Sequence, residues 1–122
     1  MDKVFVFGSN LAGRHGKGAA KDALNYHGAI YGIGEGYQGN SYAIPTKGRH
    51  LEVLSLPEIE RNVNRFIHFV NQHPELEFYV TAVGCGLAGY SPEQIAPFFG
   101  ELITKENVEL PESFVTILAS QI

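Results

Sequence analysis

The chain has 122 residues, 44% of them hydrophobic and 18% charged, which is enough for one proper core and too little for two domains. Its formal net charge is −4 and its nine lysines and arginines are scattered, which excludes a basic stripe tracking a nucleic-acid backbone over many phosphates. The single cysteine, Cys85, excludes an internal disulfide framework and fits a reducing, cytoplasmic compartment, and no apolar run is long enough to span a membrane.

Val4-Phe-Val-Phe7 is a short apolar run ended by Gly8, the pattern of a strand buried on both faces and not of a secretory signal. A glycine-rich stretch, Gly8-Ser-Asn-Leu-Ala-Gly-Arg-His-Gly-Lys-Gly-Ala-Ala20, follows. It leads into a predicted helix over Gly18–Asn25, with Ala20, Ala23, Leu24 and His27 on one side and Gly28 as a left-handed cap. Residues 29–40 hold Gly32, Gly34, Gly36 and Gly39 around Tyr31, Glu35 and Tyr37, too many glycines for regular structure. Ser41-Tyr-Ala-Ile-Pro45 predicts a short strand closed by its proline.

Ser55-Leu-Pro-Glu58 is a capping box, and Ile59, Val63, Phe66, Ile67 and Val70 recur with the helical period up to His73-Pro74. Phe78–Val83 predicts a strand feeding a second glycine-rich stretch, Gly84-Cys-Gly-Leu-Ala-Gly-Tyr90. Ser91-Pro-Glu-Gln94 opens a third helix with the stripe Ile95, Phe98, Phe99, Leu102 and Ile103, and a last strand is predicted at about Phe114–Leu118. Alternating strands and helices predict one three-layer α/β domain, 1–122, with a mixed, mostly parallel sheet and helices on both faces.

Each glycine stretch joins a strand to a helical pattern. Such loops expose main-chain N–H groups and let the backbone approach a ligand, and a helix N-terminus adds partial positive charge. Two of them suggest a cradle for a pyrophosphate; the bland alternative is tight turns alone. Gly84, Gly86 and Gly89 formally match the dinucleotide fingerprint, yet the helix is capped only at Ser91 and no acidic residue ends the Phe114–Leu118 run. The phosphate-binding Walker loop fails as well, because Gly16-Lys17 lacks a following Ser or Thr and Leu11 stands where its first glycine belongs.

Phe5-Val-Phe-Gly-Ser-Asn10 with the glycines that follow resembles the first signature of macrodomains. Ser41-Tyr-Ala-Ile-Pro-Thr-Lys47 resembles their next strand, and Tyr79-Val-Thr-Ala-Val-Gly-Cys-Gly-Leu-Ala-Gly-Tyr90 their second ligand loop. The resemblance runs from about residue 3 to 104. It implies a small-molecule ligand, ADP-ribose or a derivative, or an ADP-ribosylated macromolecule, with no cofactor; some family members are ADP-ribosyl hydrolases. It also implies that Gly8, Ser9, Asn10, Gly16, Gly18 and Ala19 line the distal ribose and phosphate, Asn10 contacting ribose hydroxyls through its amide. Gly84, Cys85, Gly86, Leu87, Ala88 and Gly89 would wrap the diphosphate, and Tyr90 would flank the ribose. Only Met1-Asp2-Lys3 precedes the asparagine strand, where the family carries an aspartate for adenine; Asp2 and Glu35 are the candidate substitutes.

Three side chains are candidates for catalysis: Asn10 as a positioner of water or ribose, His15 as an acid or base within the first loop, and Lys47 near the strand bearing the lysine of the terminal ADP-ribose glycohydrolase branch. That branch has an aspartate after the second loop, where this chain has Ala88. Arg14, His15 and Lys17 read equally as loop cations that attract anions. His27, His50, His68 and His73 show no ligand spacing with one another or with Cys85, so no metal site is expected, and Cys85 reads as a small filler. A binding module that sequesters a nucleotide signal is the second functional class, and a dinucleotide-dependent redox domain the third.

Overall fold

A computed structural model describes residues 2–121. Strand β1 (Val4–Asn10) is the middle of a five-stranded sheet and leads to helix α1 (Gly18–Tyr26). Strands β2 (Gly36–Gln38) and β3 (Ser41–Lys47) follow, then helix α2 (Leu56–Gln72) and strand β4 (Phe78–Val80). A short helix α3 (Pro92–Ile95) runs into a 3-10 helix (Ala96–Leu102), and strand β5 (Val108–Glu109) and helix α4 (Glu112–Ala119) end the chain. The strand order is β2-β3-β1-β4-β5, with only β2 antiparallel to its neighbour.

Alternation along β1 sends its side chains to two cores. Val4 and Val6, with Tyr42 and Ile44 of β3, pack on one face against Ile59, Val63, Phe66 and Val70 of α2, Phe99 of the 3-10 helix and Phe114 of α4. On the other face Phe7 and Ala43 meet Ala20 and Ala23 of α1, whose small side chains let the helix lie close. The architecture is thus a three-layer α/β sandwich with unequal outer layers. Helix α2 owes its start to a complete capping box, in which Ser55 accepts from the Glu58 N–H while the Glu58 carboxylate accepts from the Ser55 N–H.

Several elements differ from the expectations above. The run Phe114–Leu118 is helix, not strand: Phe114 and Leu118 are buried four residues apart while Val115 and Thr116 face out, and Phe114 packs on Phe99 with ring centroids 5.4 Å apart. Packing has overridden the strand preference of the β-branched Val115, Thr116 and Ile117. The third helix is α only to Ile95, because Pro97 has no N–H to bond back to residue 93. Beyond it the buried Ala96, Phe99 and Leu102 fall three apart, the period of the 3-10 helix that replaces it. The glycine-rich segment 29–40 contains strand β2, paired along β3 from Gly36↔Ala43 to Gln38↔Ser41. The last parallel pairing is supplied by β5, which lacks any sequence period.

β1 and β3 are also longer than expected, and their extensions matter most for the site. Gly8 and Ser9 pair with Ile44 and Pro45, and the register then shifts so that Asn10 stands opposite Lys47 with Thr46 bulged out. Such a bulge re-aims side chains at a strand end.

Two measurements check this packing. Phe66, fully buried among α2, β4 and the 3-10 helix, predicts a loss of about 3–5 kcal/mol in urea-denaturation stability on Phe66→Ala. Tyr42 is held neutral, burial and the nearby Glu35 carboxylate pushing its phenol up to about 12. Since an unfolded tyrosine ionises near pH 10, its contribution is whole below that pH and declines as pH rises from about 10 through 12. Denaturation midpoints at pH 9 and 11.5 should therefore fall less in Tyr42→Phe than in the parent.

Candidate functional site

At the carboxyl ends of β1, β3 and β4 the structure has a cavity of about 720 Å³. Both glycine loops line it: Gly8, Ser9, Asn10, Gly16, Gly18 and Ala19 from the first, and Gly84, Gly86, Leu87 and Ala88 from the second. They touch at the back, where a Cβ on Gly8 would lie 3.4 Å from the Gly84 nitrogen. The cavity exists because the chain leaves adjacent strands in opposite directions, from β1 to α1 on one face and from β4 to α3 on the other.

The main chain on this wall is rich in donors. Lys17, the residue before α1, provides no side-chain cap, and the N–H groups of Gly18, Ala19 and Ala20 have no partner among the described residues. Across the cavity the N–H groups of Gly84, Gly86, Leu87 and Ala88 likewise donate to nothing among the described residues. Arg14, Lys17 and Lys47 stand on the same wall, and none of the three has an ion-pair partner among the described residues. Among the described residues no carboxylate lines the cavity, although the chain as a whole is acidic.

The loop's shape is set from beneath. Both ends of the Asn10 amide are engaged with Arg14, Oδ1 accepting from its N–H and Nδ2 donating to its carbonyl, each at 2.9 Å. Asn10 therefore lines the cavity while serving as the brace of its own turn. His15 is 1% exposed and does not reach the cavity wall. Its Nε2 lies 3.1 Å from the Ile30 carbonyl and 3.0 Å from that of Ile33, and since carbonyls only accept, Nε2 carries the proton. Nδ1 is buried without a partner, and the ring sits edge-on to Phe7. The expected acid or base is thus a buried tie between the first loop and residues 30–33. Ser9 Oγ donates to the Gly34 carbonyl and Gln38 binds Ile30 and Ile33, completing that tie.

Lys47 does lie on the wall. Cys85, Gly89 and Tyr90 do not: Cys85 packs on the core with its thiol pushed up by burial and by the Glu93 carboxylate, and Tyr90 donates its hydroxyl to the Leu54 carbonyl at 2.6 Å. Neither candidate for adenine recognition is on the wall either. Glu35 is paired with Arg65 of α2, and Asp2 lines a separate groove with Phe5, Tyr26 and Tyr79.

Sequence reasoning missed Tyr31, Leu51, Thr46 and Thr81, which all line the cavity. Tyr31 comes from a segment expected to be irregular, and Leu51 from a turn after β3 that carries no motif. Leu51 is also the one non-glycine among the described residues with a positive φ, 65°.

Comparison with protein-family models, with curated proteins and with solved structures returns no match. Geometry alone supports the site. It predicts that His15→Ala lowers stability by about 2–4 kcal/mol, from the lost packing and the loss of the Nε2–H donor that the Ile30 and Ile33 carbonyls share, measured by denaturant unfolding. In contrast, a Cβ on Gly86 meets nothing within 4 Å, so Gly86→Ala should unfold within about 0.5 kcal/mol of the parent.

Proposed function

We propose that this protein binds ADP-ribose or a related nucleotide-ribose diphosphate in the cavity between the two glycine loops. The observation that carries the reading is that unpaired main-chain N–H groups from both loops line one cavity, which also bears Arg14, Lys17 and Lys47 and, among the described residues, no carboxylate. Unpaired N–H groups at a helix start and in an adjoining glycine loop suit anionic oxygens on both sides of a bridging diphosphate. The volume of about 720 Å³ lies in the ordinary range for small-molecule sites. The macrodomain resemblance of residues 3–104 points the same way.

Binding without turnover is the better supported form. General acid–base cleavage of an ADP-ribosyl bond needs a titratable group beside the bond, whereas His15 is buried beneath the loop and the Asn10 amide is committed to Arg14. Lys47 remains as a nucleophile without an acid on the wall.

Titration calorimetry with ADP-ribose and AMP tests this. ADP-ribose should bind with micromolar affinity and AMP at least tenfold more weakly, since only the former bridges both loops. Gly86→Leu, which places a side chain in open space at the wall, should abolish binding without unfolding the protein. Equal affinities for the two ligands, or an unimpaired Gly86→Leu, would overturn the reading. Release of free ADP-ribose from an ADP-ribosylated protein would instead make this an enzyme.

A further inference from the structure

Resting on the diphosphate reading above, we propose that the site does not discriminate among nucleobases and accepts nucleoside-diphosphate riboses as a class. To select one base, a site must offer donors and acceptors matched to the base's edge, and leaving them unmatched is what rejects the others. Apart from the Tyr31 phenol, the neutral polar side chains on this wall are turned to main-chain partners. Ser9 and Thr46 donate their hydroxyl protons to the Gly34 and Ser9 carbonyls, and Thr81 donates to the Val6 carbonyl at 2.8 Å. The Asn10 amide spends one N–H and one lone pair on Arg14, which fixes its plane. The charged groups on the wall are all cations, which hold phosphate and read no amino group.

What the cavity offers a base instead is apolar surface. Tyr31, Leu51 and Leu87 reach it from three separate loops and are 61%, 41% and 63% exposed, large apolar side chains left in water at the wall of an anion site. Leu51 is kept there by a left-handed backbone that leucine rarely adopts, in a turn closed by Gly48 and Glu52 main-chain bonds. With the diphosphate on the loop N–H groups, the flat end of the ligand covers these side chains. Stacking and apolar contact are sequence-tolerant, because every base has a π-face.

Calorimetry with ADP-ribose, GDP-ribose and CDP-ribose on the full chain decides it. The three dissociation constants should agree within about threefold. Tyr31→Ala should weaken all three by a similar factor, on the order of tenfold as for a lost base stack, and Tyr31→Phe should restore them. A preference above tenfold for one base, or a Tyr31→Ala variant that binds all three as the parent does, would overturn this inference while leaving diphosphate binding intact. If none of the three bound, the diphosphate reading itself would fall, and this one with it.

Discussion

The parallel pairing of β1 with β4, whose continuations leave for opposite faces of the sheet, is the constraint from which the site follows. Because α1 is held on one face by Phe7 and Ala43, and α3 on the other by Ile95 and its neighbours, the two glycine loops part at the strand ends and face each other across open space. The unequal outer layers are consistent with this. The face carrying α2, the 3-10 helix and α4 holds most of the apolar volume, while α1 needs only small side chains to lie close enough for its first turn to reach the cavity.

N–H groups left without protein partners stay available to a ligand only if the loops do not collapse to satisfy them. Buried Ser9, His15 and Gln38 supply the restraint, each ending on carbonyls of residues 30–36. Gly13 and Gly34 allow the close approach: a Cβ on either would come within 2.4 Å of main-chain atoms of the other segment. Donors fixed in place before a ligand arrives lose little freedom when it binds, so more of the interaction energy appears as affinity.

Much of this was legible in the chain. The two glycine stretches and their strand-to-helix contexts were enough to expect the loops beside one another, as they are in lining one cavity, and the capping boxes at Ser55 and Ser91 start helices as read. The losses have physical causes. The role of His15 depends on Ile30 and Ile33, which lie 15 and 18 residues away and whose carbonyls carry no sequence signal at all. Tyr31 and Leu51 reach the wall through turns defined by main-chain geometry and not by residue type. The strand reading of Phe114–Leu118 failed because β-branched residues are neutral enough in a helix for the contact of Phe114 with Phe99 to decide the outcome.

The contrast among helix starts bears on why the loops, and not side chains, would do the binding. In α2 and α3 a first-turn N–H is met by the Ser55 and Ser91 hydroxyls, whereas α1 is preceded by Lys17, whose side chain caps nothing. A serine at that position would accept from one of these N–H groups and occupy part of the room in front of them. A lysine leaves both free and adds a positive charge beside the helix dipole, so the energy a cap would have contributed is still to be gained when an anion arrives. Arg14 and Lys47 extend the same field over the cavity. On the proposed reading these long side chains would steer an incoming anion more than shape it, and phosphate geometry would be read by the main-chain groups of the loops.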